Sequence, residues 1–241
     1  MNTLSPLRLL LVFVAGAFSP ALARAGSPGF DEPLKVIQTT DAEFPLNNET
    51  RLLHRGQVRV VVNIDSDGRL ADWLVASYTH RDFADAAVQA LKEWRYEPAR
   101  QHGEPVGTRA SLVFDFEIKG QVISMNSVES LTSIINTATA GSQAIERVCL
   151  PRELDRPLEA VQTVAPRTVG ARTLAEPRRI TVDFFIDETG RPRMPVVEDA
   201  RDSQAAAAVD ALMQWRYSGP TRAGEPVAVR ARQIFVFARN P

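Results

Sequence analysis

Cysteine is almost missing from these 241 residues. Cys149 stands alone, so no intramolecular disulfide can form in any redox compartment and the core must hold without covalent staples. Its neighbours Val148 and Leu150 mark it as a small buried apolar residue rather than a reactive thiol. Histidine is scarce too: His54, His80 and His102 fall outside the regular apolar patterns and are expected in exposed loops. No Cys/His spacing suggests a metal site, and none is expected. An excess of either charge is also absent, because 28 Lys and Arg face 29 Asp and Glu for a net charge of -1. That balance excludes a nucleic-acid binder that depends on a strong basic field.

Long apolar runs are missing as well, apart from one at the start. Arg8 precedes an apolar run from Leu9 to Phe18, and Ala21-Leu22-Ala23 supplies the small residues that a signal peptidase reads. Residues 1–25 are therefore expected to be a cleaved secretory signal peptide, with retention as an anchor as the alternative. A span needs about 20 apolar residues, and Pro20 interrupts this run. Once the signal is cleaved, no stable membrane insertion is expected and the mature chain should be soluble in an exported compartment.

What is present reads as folded protein: 44% apolar and 24% charged residues, with a mean hydropathy of -0.14. One unit is written twice. Asp31-Glu32-Pro33-Leu34 recurs as Asp155-Arg156-Pro157-Leu158, and Ile64-Asp65 with Gly68-Arg69 recurs as Ile186-Asp187 with Gly190-Arg191. Trp94-Arg95-Tyr96 recurs as Trp215-Arg216-Tyr217, and Gly103-Glu104-Pro105-Val106 as Gly224-Glu225-Pro226-Val227. The same order and a nearly constant offset point to an internal repeat.

Each copy has the same local logic. Val58, Val60, Val62 and Ile64 alternate with polar residues, the period of a strand with one buried face, and Ile180, Val182, Phe184 and Ile186 match them. Gly68 and Gly190 supply hairpin turns. The first return strand runs from Leu70 to Ser77, whereas the second contains Pro192 and Pro195, which predicts a sheet edge or a bulge. A helix follows, capped by Asp82 or Thr79 and striped by Phe83, Ala87, Ala90, Leu91 and Trp94. Its counterpart is capped by Ser203 or Asp202 and striped by Ala208, Ala211, Leu212 and Trp215. Both tryptophans are expected to be structural. The last strands run from Arg109 to Ile118 and from Val229 to Ala238, with Gln233 inward where the first copy has Leu112.

The fold class is α+β: two tandem β-β-α-β modules, each a three-stranded antiparallel sheet with one helix packed on it. The boundaries are 26–119 and 155–241, joined by a linker at 120–154 in which Val128, Leu131, Ile134, Ile135 and Ala138 have helical spacing. Residues 31–118 hold 10 basic and 15 acidic side chains and residues 155–241 hold 13 and 11, so the copies are suited to different partners or to each other. Chemistry is hard to find. There is no phosphate loop, no nucleophile elbow, and the calcium-loop start Asp65-Ser66-Asp67-Gly68 has Ala76 where a glutamate ligand should stand. No enzyme activity and no cofactor are expected.

Phe44-Pro45, Gly56-Gln57-Val58-Arg59-Val60, Ile64-Asp65-Ser66-Asp67-Gly68-Arg69, Ala86-Ala87 and Trp94-Arg95-Tyr96-Glu97-Pro98-Ala99 together resemble the C-terminal domain of the TonB energy-transducer family. The second copy resembles a divergent member, with Ala165-Pro166 for Phe44-Pro45 and Arg178 for Gly56. The resemblance implies a periplasmic module that pairs its last strand with an extended segment of an outer-membrane receptor or another envelope protein. Carried onto this chain, the partner-binding residues would be Arg109, Ser111, Val113 and Asp115, and Arg230, Arg232, Ile234 and Val236. The sixteen prolines are scattered and form no stiff rod, so a relative that binds or modulates is expected rather than one that transmits force. Two alternatives stay open. The edge strands could pair within the chain or in a homodimer, giving a structural envelope protein, or the chain could be a full energy transducer with an uncleaved anchor.

Overall fold

The computed structural model describes residues 30–47, 49–50, 53, 55–117, 144–167, 177–197 and 202–237. Residues 1–25, expected as a signal peptide, lie outside them, as does the helical spacing from Val128 to Ala138. No helix among the described residues is long and apolar enough to cross a membrane. The described chain forms two compact units, one from Gly29 to Val148 and one containing Cys149–Pro241.

In the first unit, strand β1 (Lys35–Gln38) is followed by β2 (Arg55–Ile64), β3 (Leu70–Tyr78), helix α1 (Arg81–Glu93), β4 (Arg95–Glu97), β5 (Ala99–Gln101), β6 (Glu104–Val106), β7 (Thr108–Glu117) and β8 (Ile145–Glu146). The alternation read in β2 is realised: Val58, Val60, Val62 and Ile64 are fully buried. They meet Phe83, Ala84, Ala87, Ala90 and Leu91 of α1 together with Phe114 and Phe116 of β7. Alanines let the helix sit close to the sheet, and Phe83 fills the remaining space, a burial worth roughly 2 kcal/mol.

The second unit contains β9 (Val148–Cys149), a 3-10 turn (Pro151–Glu153), β10 (Ala160–Gln162), β11 (Arg178–Ile186), β12 (Pro192–Val197), α2 (Ser203–Met213), β13 (Arg216–Tyr217), β14 (Thr221–Arg222), β15 (Glu225–Pro226) and β16 (Ala228–Phe237). Its core joins Val182, Phe184 and Ile186 to Ala208, Ala211, Leu212 and a fully buried Trp215. Gln233 is buried in β16 as read, and its Nε2 donates to the Ile234 carbonyl at 2.9 Å. β12 is the edge strand that its prolines predict, and its pairing with β11 is irregular between Asp183 and Phe185.

Three expectations need correction. Each main sheet has four strands rather than three, in the orders β7-β2-β3-β8 and β12-β11-β16-β9. The fourth strand is a two-residue piece of the connecting segment, which supplies hydrogen-bond partners to an edge that would otherwise leave backbone groups unpaired. Secondly, α1 is capped by His80, whose side chain accepts from the Asp82 N–H at 3.3 Å, rather than by Asp82 or Thr79. Thirdly, short ribbons β1-β4, β5-β6, β10-β13 and β14-β15 flank the sheets, in segments of two to four residues that carry too little periodicity to be seen in sequence.

The recurring motifs lock these pieces together by the same contacts in both units. Asp65 Oδ1 accepts from the N–H groups of Asp67 and Arg69, and Asp187 Oδ1 accepts from those of Thr189 and Arg191. Gly68 and Gly190 follow with φ of 76° and 81°, and a Cβ on either would collide with the carbonyl of Tyr96 or Tyr217. The β5-β6 and β14-β15 turns place His102-Gly103 and Ala223-Gly224 at positive φ, the geometry of a tight two-residue hairpin. Asp31 accepts from the Gly103 N–H, and Asp155 accepts from the Ala223 and Gly224 N–H groups. The indole N–H of each Trp-Arg-Tyr motif also ties down the chain ahead of the first long strand: Trp94 donates to the Thr40 carbonyl at 2.9 Å and Trp215 to that of Val164 at 2.8 Å.

Candidate functional site

A surface that captures an extended chain needs a strand whose backbone N–H and C=O groups face outward unpaired. β7 is ten residues long, pairs with β2 from Arg55↔Glu117 to Ile64↔Thr108, and is outermost in its sheet among the described residues. Its even-numbered residues Phe114 and Phe116 are buried. Arg109, Ser111, Val113 and Asp115 face the other way, with Val113 52% exposed. Around them are polar groups of β2: Gln57 donates to Asp115 at 2.9 Å and Arg55 pairs with Glu117 at 3.2 Å. The open strand is therefore bordered by both charge signs and one apolar side chain.

β16 is different. Arg230, Arg232, Ile234 and Val236 again face away from the core, and Arg232 forks onto Asp183 with contacts of 3.1 and 3.2 Å. However, β16 is not outermost, because β9 lies beside it. The Cys149 thiol lies 3.5 Å from the Ala228 carbonyl, and Cys149 packs with Val227 and Val229, which places β9 at the beginning of β16. The expectation of two open last strands is corrected here for the second: β7 is outermost among the described residues, and the start of β16 is already occupied by the chain's own backbone.

The structure also places residues that the sequence reading passed over. His80, expected in an exposed loop, is a helix cap between two carboxylates, with Nε2 3.4 Å from Glu49 and Nδ1 3.8 Å from Asp82. Glu49, His80 and Asp82 bring three ligand atoms within 4.8 Å of one another. The cap geometry works against a cation there. Nδ1 accepts from a backbone N–H, so the neutral ring carries its proton on Nε2, the atom a metal would need. A cap followed two residues later by Asp82 could have been considered from sequence, although histidine is an uncommon cap.

Burial and hydrogen bonds tune several groups, none of which converges on a reaction centre. Burial pushes the Tyr96 hydroxyl up to about 12 and raises that of Tyr217. Burial also raises the Cys149 thiol, outweighing the nearby Arg222 guanidinium. Burial would raise the Asp187 carboxyl too, but hydrogen bonds from the Thr189 hydroxyl and the Arg191 and Thr189 N–H groups, with the Arg193 charge, hold it below its usual range.

Known proteins resemble part of this chain. Residues 47–118 match the family described as Gram-negative bacterial TonB protein C-terminal. The curated Protein TonB of Pseudomonas aeruginosa strain PAO1 is 31% identical over 106 residues, which is 44% of this chain and 30% of the relative. The chain thus spans less than a third of that relative's length. The solution NMR structure of the Pseudomonas aeruginosa TonB CTD is 30% identical, with 38% of this chain and 92% of that one covered and a TM-score of 0.32.

Proposed function

We propose, from the premise that residues 47–118 are a TonB C-terminal domain, that this protein is a periplasmic binding module of the Gram-negative envelope. Its partner is an extended peptide segment of an outer-membrane or other envelope protein, added as a strand along β7. The observation that carries this reading is the open edge of β7, ten residues long and outermost in its sheet among the described residues. Backbone groups of that edge provide affinity for any extended chain, and Arg109, Ser111, Val113 and Asp115 select among sequences. The protein works with TonB-type transport by binding rather than by transmitting force, and residues 1–25 export it. The second unit is a diverged duplicate of the first.

A second reading applies to the second unit alone. There the strand-pairing capacity at the start of β16 is satisfied within the chain by Val148–Cys149, so this unit has a structural role.

Capture of outer-membrane proteins from a Gram-negative envelope fraction tests the main reading. Wild type should retain an outer-membrane protein that Val113→Pro loses, with an unchanged circular dichroism spectrum. If proline disturbs the sheet, the pair Ser111→Lys and Val113→Lys blunts the edge with charge and keeps the fold. Equal capture by wild type and the lysine pair would overturn strand addition at β7.

A further inference from the structure

The first unit carries a second surface, away from β7. A cleft of 520 Å³ opens beside Trp94, bounded by Ile37 of β1, Arg69 at the hairpin, Trp73 of β3, Lys92 of α1 and Arg95. Within the sheet, Trp73 stands opposite Val62 of β2, which stands opposite Ala110 of β7. Two strand spacings, about 10 Å, separate Trp73 from β7, so the two surfaces can be occupied at once.

The cleft has an unusual composition for its unit. Ile37 is 63% exposed, and two of the three tryptophans of the chain line the walls. The Lys92 ammonium sits 5.3 Å from the centre of the Trp73 ring. Three cations, Arg69, Lys92 and Arg95, face one acid, Asp67, which is engaged by Arg69 at 3.1 Å. No carboxylate pairs with Lys92 or Arg95 among the described residues. This basic spot lies in the half of the chain where acidic residues outnumber basic ones by 15 to 10.

The second unit shows that the fold does not require three of these side chains, while it keeps Arg191 and Arg216 in place of Arg69 and Arg95. Aligned on the shared turn and Trp-Arg-Tyr motifs, Lys92 corresponds to Met213, Trp73 to Pro195 and Ile37 to Val161. Trp215 keeps the indole hydrogen bond of Trp94 without any of them. A half-buried Trp73, an exposed Ile37 and an exposed Lys92, none of which the second unit keeps, are groups suited to a partner.

We infer that this cleft binds an acidic peptide segment carrying apolar or aromatic side chains. Its carboxylates would meet Lys92 and Arg95, and its apolar side chain would lie against Trp73, Trp94 and Ile37. The inference does not depend on the β7 reading.

Tryptophan fluorescence of the full chain provides the test, since Trp73 and Trp94 line the cleft while Trp215 is fully buried in the other unit. Titration with acetyl-Glu-Phe-Glu-Leu-Glu amide should give a saturable change that acetyl-Lys-Phe-Lys-Leu-Lys amide does not. Lys92→Glu with Arg95→Glu should weaken the acidic peptide by about tenfold and admit the lysine peptide. The pair Ser111→Lys and Val113→Lys should leave the affinity unchanged, which separates failure of this proposal from failure of strand addition. Equal responses to the two peptides, or undiminished acidic-peptide binding by the double variant, would overturn it. So would a response to phosphatidylglycerol vesicles without any to the acidic peptide, which would assign the cleft to a lipid surface.

Discussion

The two units solve the same packing problem differently at the entrance to the helix. In the first, Phe83 lies over Gly56, with Phe44 at 5.1 Å and Phe116 at 4.9 Å between ring centres. A Cβ on Gly56 would come within 2.4 Å of the Phe83 ring, so the glycine is a seat for an aromatic side chain. In the second, the corresponding strand residue is Arg178, which pairs with the helix cap Asp202. Gln204 stands in place of Phe83, and Ala165 in place of Phe44. The changes are coherent: once the ring is gone the glycine is no longer needed, and an ion pair at the cap replaces an aromatic cluster. The cost remains visible in Gln204, whose buried Oε1 has no partner among the described residues. Substitutions that look like loss of a motif are one exchange of packing for electrostatics.

The sharpest way to break the symmetry is at the paired tryptophans. Trp215 is fully buried and Trp94 only partly, so Trp215→Ala should destabilise its unit by about 3–5 kcal/mol and Trp94→Ala its own by less. Urea titration with hydrogen exchange resolved to peptides of each unit would show it. Next comes the glycine seat. Gly56→Ala should cost about 1–3 kcal/mol through overpacking against Phe83. Arg178→Ala at the matching place should cost about 1 kcal/mol or less, since Arg178 is about half exposed. Comparable losses in both would show that the two entrances are not alternative solutions.

Alkaline pH probes the buried tyrosines. Tyr96 ionises near 12 in the folded chain and near its ordinary 10.0 when unfolded. Its contribution is therefore complete below pH about 10 and is lost as pH rises toward 12, at about 1.4 kcal/mol per pH unit. Tyr217 acts in the same direction in the other unit. The smallest effect is expected from Tyr96→Phe. The buried Tyr96 hydroxyl has no partner among the described residues, so removing it should change stability by less than about 1 kcal/mol, toward the stable side. It should also flatten the alkaline loss in the first unit while leaving the second unchanged.

Much of this was legible in the sequence because periodicity is a local signal. The buried faces of β2 and β11, the helix stripes and the turn glycines could be read from spacing alone. The recurrence of Asp31 with Gly103 and of Asp155 with Gly224 was visible too. That the aspartate in each pair clamps a hairpin turn 69 or 72 residues away was not, since contact across that distance leaves no periodic trace. Two-residue strands fall below the length at which alternation exists, so β8 and β9 were hidden, and with them the covering of β16. The cleft beside Trp94 was missed for a related reason: Ile37, Trp73 and Lys92 belong to three elements, and only the fold makes them neighbours.

The covering of β16 has a practical consequence for anyone following how this protein opens. Cys149 is the sole thiol, is 2% exposed, and sits in the two-residue strand that closes the sheet. With its ionisation suppressed by burial, an alkylating reagent should reach it only when that strand lifts away. Labelling kinetics of the unmodified protein would then report the lifetime of one hydrogen-bonded edge, read as a clock at a single atom, with no engineered probe.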